Sequence, residues 1–92
     1  MDRTTFEAEL HRDGYQVVVN TMQPGAINPE HQHDFDARLL VVDGEMTIVV
    51  GDQRSTYNVG DTFSMTHGCR HAEHAGPNGA TYVAGRRTPK TH

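Results

Sequence analysis

Arg38-Leu-Leu-Val-Val42-Asp43-Gly44-Glu45-Met-Thr-Ile-Val-Val50 is the stretch whose reading decides the fold. Two β-branched runs, Arg38 to Val42 and Glu45 to Val50, are joined by Asp-Gly, the dipeptide that favours a type I′ hairpin turn. Working outward from this expected hairpin, the chain reads as strands. Upstream, Tyr15 to Met22 carries Val17-Val18-Val19 and ends at Pro24-Gly25, a strand followed by a breaker. Downstream, Gly51-Asp52-Gln53 turns the chain into a short polar strand around Thr56-Tyr57, and Gly60-Asp61 turns it again before Thr62-Phe63-Ser64-Met65. Further strands are expected at Cys69 to His74 and at Thr81 to Ala84, separated by the turn-forming Gly76-Pro77-Asn78-Gly79. Asp2 to Leu10 reads equally as a short helix or an edge strand. About seven or eight short strands at this spacing indicate an all-β sandwich or barrel, and a jelly roll closes the edges of so short a chain.

A chain of 92 residues supports one hydrophobic core, so a single domain is expected over residues 1–92, with the barrel from about 14 to 86 and a tail from 87 to 92. So small a domain gains from a bound metal or a partner subunit, and a homodimer is expected. Eight Lys+Arg against 12 Asp+Glu give a net charge of −4, which argues against nucleic acid or an anionic membrane as partner. Arg86, Arg87 and Lys90 form the one basic cluster and read as a solvated tail. Met1-Asp2-Arg3-Thr4-Thr5 leads into no apolar run of signal-peptide length, and nowhere do about 18 apolar residues stand together. The expectation is a soluble, cytoplasmic protein. Cys69 is the single cysteine, so no internal disulfide forms, and nothing in the sequence sets a base beside its thiol.

The histidines carry the chemistry. His31 and His33 form an H-x-H pair, and on a strand residues i and i+2 project from one face into a common cavity. Two neutral imidazoles on one wall chelate a metal when a third ligand faces them. His71 is the best third ligand, because it begins the strand after the turn Thr66-His67-Gly68. With His71 inward, alternation sends His74 outward and brings Glu73 inward. His11 and His92 lie near the ends and read as solvated, and Phe35, Tyr57, Phe63 and Met65 read as core or mouth lining.

Gly25-Ala-Ile-Asn-Pro-Glu-His31-Gln-His33, continued to Gly44, resembles the first motif of the cupin superfamily, in which a glycine precedes H-x-H and a Glu and a Gly follow. Gly60-Asp-Thr-Phe-Ser-Met-Thr66-His67-Gly68-Cys-Arg-His71 resembles the second, G-x5-P-x-G-x2-H. Together the motifs span Gly25 to His71, about half the chain. The resemblance implies the double-stranded β-helix, an RmlC-like jelly-roll barrel with its site in the mouth, and implies that His31, His33 and His71 are the ligands. Three positions depart from the family's pattern. Its glutamate ligand falls on Ala37 or, with a longer loop, on Arg38; its second-motif proline is Thr66; and its closing Asn is Ala75. Three neutral histidines leave the charge of a divalent metal uncompensated, which favours anionic or bidentate substrates. Glu73, Asp36 and Asp34 are the carboxylates that could take the missing place. Arg38 would clamp a substrate carboxylate if it pointed inward, but alignment of Ala37 inward turns it to the other face.

The expected function is that of a metal-dependent enzyme acting on a small anionic or carbonyl-containing molecule, with Glu73 and Arg38 as candidate catalytic residues. The expected cofactor is one divalent transition metal, Fe, Mn, Ni, Zn or Cu, which imidazoles alone do not distinguish. The alternative is a non-catalytic binding or sensing domain in which the metal is structural.

Overall fold

The computed structural model describes residues 1–89. One helix, α1 (Arg3–Arg12), precedes six strands: β1 (Gln16–Met22), β2 (Ile27–His31), β3 (Asp36–Val50), β4 (Gln53–Asn58), β5 (Thr62–Met65) and β6 (His71–Arg87). The amino-terminal segment is therefore the helix. Its Asp2 carboxylate accepts a 2.8 Å hydrogen bond from the Thr5 amide, and Phe6 and Leu10, one turn apart, are fully buried. They pack with Leu40 and Val83 into a small core on the outer face of the barrel. Gly85 permits this packing, since a side chain there would meet the Leu10 methyls.

The Asp43-Gly44 hairpin does not form. Both flanking runs belong to β3, which pairs with β6 from Asp36↔Arg87 through Gly44↔Ala80 to Val49↔Ala72. Gly76-Pro77-Asn78-Gly79 likewise interrupts no strand; it lies inside β6, so strands expected as two pairs are two long strands. Each long strand changes its second neighbour where the register shifts. β3 pairs with β5 through Ala37–Leu40 and with β4 through Glu45–Val50, while β6 pairs with β1 through Ala80–Arg86 and with β2 through His71–His74. One half of the jelly roll is thus β1-β6-β3-β5, and the other is β2-β6-β3-β4. The halves fold onto one core in which Leu39, Val41 and Tyr82 of the first meet Met46, Ile48 and Ala75 of the second.

The bends also reset the alternation of inward residues. Between Met46↔Ala75 and Gly44↔Ala80 the register advances two residues on β3 but five on β6. Three extra residues are an odd number, so the inward set of β6 changes from His71, Glu73 and Ala75 to Ala80, Tyr82 and Ala84. β3 makes the complementary change, from Ala37, Leu39 and Val41 to Met46 and Ile48.

At the bend the two backbones approach too closely for side chains. Gly44 sits at φ 72°, and a Cβ there would collide with the Gly79 carbonyl. Gly44→Ala is therefore expected to lower the unfolding free energy by about 3 kcal/mol or more. Gly51→Ala, also at positive φ but with no atom within 4 Å of the space a Cβ would take, should cost only about 1 kcal/mol. Urea denaturation of the two variants measures the difference.

Candidate metal centre

β2 and β6 bring the first two histidines together, for His31 is the register partner of His71. The register slips between Asn28↔Glu73 and His31↔His71, three residues on β2 against two on β6, so Asn28 and His31 share a face despite their odd spacing. The H-x-H pair does not lie on one strand as expected. β2 ends at His31, and His33 stands in the loop that follows. Its position is fixed instead by the Gly68 amide, which donates to the His33 carbonyl at 2.8 Å, and by stacking on Phe35 at 4.6 Å. Ring centroids lie 4.4 Å apart for His31 and His71, 4.8 Å for His31 and His33, and 5.5 Å for His33 and His71. One nitrogen from each of the three falls within 4.8 Å of the others.

The backbone sets the tautomer of two of these rings. His31 Nδ1 lies 2.8 Å from the Pro29 carbonyl and His71 Nδ1 lies 3.0 Å from the Cys69 carbonyl. A carbonyl only accepts, so each Nδ1 is a donor, and Nε2 is the nitrogen each ring offers to the site as a ligand. His71 is 1% exposed, and its Nε2 has no hydrogen-bond partner. A buried, unpaired ring nitrogen is costly in a protein that leaves it so, and a metal ion satisfies it. The donor set fits a divalent transition metal held by three imidazoles. Burial, and then the neighbouring His31 and His71 rings, hold the His33 pKa below the ordinary histidine value, which keeps it in the neutral form that ligates.

Of the three candidate carboxylates, Glu73 alone reaches the histidines. It is 6% exposed, with one oxygen 3.9 Å from His31 Nε2, the other 3.8 Å from His71 Nε2, and a 2.8 Å hydrogen bond from the Asn28 amide. Asp36 is committed elsewhere. It accepts the His67 backbone amide and bonds its Nδ1, both at 2.9 Å, and these bonds lower its pKa. Asp34 is exposed. Ala37 lines the cavity, as its alignment with the missing glutamate implied. Arg38 faces away from the site toward α1, 3.3 Å from Glu9 and 3.8 Å from Asp13, so no inward carboxylate clamp comes from that position.

A cavity of about 470 Å³ opens beside His31 and His33, with Glu73 in its wall and Phe35, Leu39, Met65 and Ala84 supplying apolar surface. Phe63 and Tyr57 stack on each other at 4.3 Å in and beside the core rather than in this cavity. Tyr82 and Arg86 also line it, and neither was legible as a site residue, because strand alternation from His71 turns both outward unless the three-residue bulge is known. Burial, with the Glu73 carboxylate nearby, pushes the Tyr82 hydroxyl pKa up, against a hydrogen bond to Asn20. The reading of Arg86 and Arg87 as a solvated tail is corrected as well. β6 continues through both; Arg87 lies over the Tyr15 ring at 4.4 Å and donates to the Asp13 carbonyl at 2.9 Å. Lys90 and His92 lie outside the described residues.

A family model described as a Cupin domain matches residues 18–83. No curated protein matches the chain. Among solved structures, a protein of unknown function from Rhizobium leguminosarum bv. viciae 3841 superposes with a TM-score of 0.77 at 15% identity, covering 97% of each chain. An RmlC-like cupin from Shewanella frigidimarina gives 0.71 at 21% identity, over 83% of this chain and 68% of that one. KdgF from a Halomonas species gives 0.68 at 22% identity, over 82% and 71%. At these identities the likeness establishes the fold.

In metal-free protein, His71→Leu is expected to change the unfolding free energy by no more than about 1 kcal/mol, because the lost bond to Cys69 is offset by removal of an unpaired nitrogen. Zinc should raise the Tm of the unsubstituted protein and leave that of the variant unchanged, as scanning calorimetry with and without chelator will show. Asp36→Ala should destabilise at pH 7 and do so less at an acid pH below the ordinary carboxylate range. Its folded pKa is lowered, so its contribution is complete above the unfolded value and is lost as pH falls through the folded one. Denaturant titrations at both pH values test this.

Proposed function

The chain belongs to the cupin family, and from that premise we propose that it is a metal-dependent enzyme acting on a small anionic or carbonyl-containing molecule in the cavity beside His31, His33 and His71. The observation that carries the reading is the unpaired, buried Nε2 of His71, within 4.8 Å of ring nitrogens of His31 and His33, which themselves line an open cavity. His31, His33 and His71 would hold one divalent transition metal. Such an ion, when bound, polarises a carbonyl or carboxylate oxygen as a Lewis acid or, if it is iron, activates dioxygen.

The other groups have their own parts. Glu73 accepts or returns a proton at its carboxylate, within reach of any substrate atom that lies against the His31 and His71 Nε2 edge. Asn28 keeps that carboxylate oriented through its 2.8 Å bond. Tyr82, with its pKa raised, stays a neutral hydroxyl and donates. Phe35, Leu39 and Met65 exclude water from the apolar side of the substrate. An open cavity favours catalysis over a purely structural metal, which would be enclosed on all sides.

The test begins with elemental analysis of protein purified without a nickel column. One equivalent of a divalent transition metal is expected, lost in a His31→Ala, His71→Ala double variant. Metal-loaded protein is then screened against small keto and hydroxy acids. For any compound turned over, Glu73→Gln should retain the metal and lower kcat by about 10²-fold or more. Metal content unchanged by the double substitution, or unchanged turnover in Glu73→Gln, would contradict the proposal.

A further inference from the structure

Among the described residues Arg86 is the one arginine or lysine lining the cavity, and it stands without a protein partner. Most of the other described arginines are engaged: Arg3 with Glu7, Arg12 with Asp13, Arg38 with Glu9, Arg70 with Glu30, and Arg87 with the Asp13 carbonyl and the Tyr15 ring. Arg54, on the exposed face of β4, is the exception away from the site. The Arg86 side chain makes no hydrogen bond or ion pair among the described residues, but it has one aromatic contact. Its guanidinium carbon sits 5.0 Å over the Phe35 ring, and Phe35 in turn stacks on His33 at 4.6 Å. The column Arg86–Phe35–His33 therefore places an exposed guanidinium at the rim of the cavity, about two ring spacings from the histidine wall, across its apolar side. Contact with a ring face consumes no N–H donor, so the planar fork keeps its donors for an incoming anion.

We infer that Arg86, positioned by Phe35, is the carboxylate-binding residue of the site, and that the ligand is a small 2-oxo or 2-hydroxy monocarboxylate. Its carboxylate lies in the guanidinium fork, its aliphatic body lies along Phe35, Met65 and Leu39, and its second oxygen turns toward the histidines. This assignment rests on the metal reading of His31, His33 and His71. The class follows from the two ends of the cavity. A planar guanidinium matches a carboxylate with two parallel hydrogen bonds. The wall of histidine nitrogens, once it holds a cation, takes the second, keto or hydroxyl, oxygen of the ligand. About 470 Å³ accommodates a small organic acid. The Arg86 role is the one that motif spacing offers to Arg38, moved to β6 by the bulge that turns its second half inward.

Isothermal titration calorimetry of the zinc-loaded and the metal-free protein tests the assignment, with 2-oxobutyrate as probe and 2-oxobutanamide as its uncharged counterpart. The acid is expected to bind more tightly than the amide. Arg86→Gln should weaken the acid by about tenfold or more while leaving the amide and the zinc stoichiometry unchanged, and Arg86→Lys should fall between. The loss should also appear, from a weaker starting affinity, in the metal-free protein. Equal binding of acid and amide, or an acid affinity indifferent to Arg86→Gln, would overturn the proposal. If the unsubstituted protein takes up no zinc, the metal reading fails by itself, and the metal-free titrations still decide whether Arg86 binds the carboxylate.

Discussion

The close passage of β3 over β6 at Gly44 and Gly79 is the constraint from which the rest of the structure follows. Two strands of 15 and 17 residues stay paired along nearly their whole length, and a strand pair that long must bend to enclose a core. The bend is made where β3 carries Asp43-Gly44 and β6 carries Gly76 to Gly79, since only there can the backbones touch without a Cβ between them. Because each strand gains an odd number of residues relative to its partner, the bend also exchanges the inward and outward faces. Glu73 on one arm of β6, and Tyr82 and Arg86 on the other, consequently line one cavity, with His71 buried behind His31 and His33.

Within that site the histidines are held by backbone rather than by other polar side chains. Pro29 and Cys69 fix the two histidine tautomers through their carbonyls, and Gly68 fixes the loop that presents His33. Such support leaves the ligating nitrogens without internal partners, which costs stability in the metal-free chain and returns it when a cation binds. The arrangement puts a buried carboxylate, a neutral hydroxyl and a guanidinium around one apolar volume, three groups with different proton affinities and distinct parts in handling a small polar molecule.

Much of this was legible in the residues. The inward Glu73 follows from strand alternation, and the histidine trio and the jelly roll from the two glycine-anchored motifs, whereas Arg38, a candidate catalytic residue by its sequence position, faces α1. What was not legible depends on long-range pairing. Asp43-Gly44 has the chemistry of a hairpin turn, but β6 pairs with both flanking runs along one edge, and β5 and β4 take their other edges, so neither run has an edge left for the other. The same dipeptide then serves as a bulge. Arg86 was missed for the same reason, because counting by twos from His71 fails across Gly76 to Gly79. His33 reached its place without the strand expected to carry it, through one hydrogen bond from Gly68 and the face of Phe35.

X-ray absorption spectroscopy of the protein carrying its native metal tests the central claim most directly, because it reads the donors around the ion without reference to any substrate. Three imidazole scatterers, with the remaining positions filled by oxygen from Glu73 or solvent, are the predicted shell. A shell containing the Cys69 sulfur, or one with fewer than three imidazoles, would contradict the account.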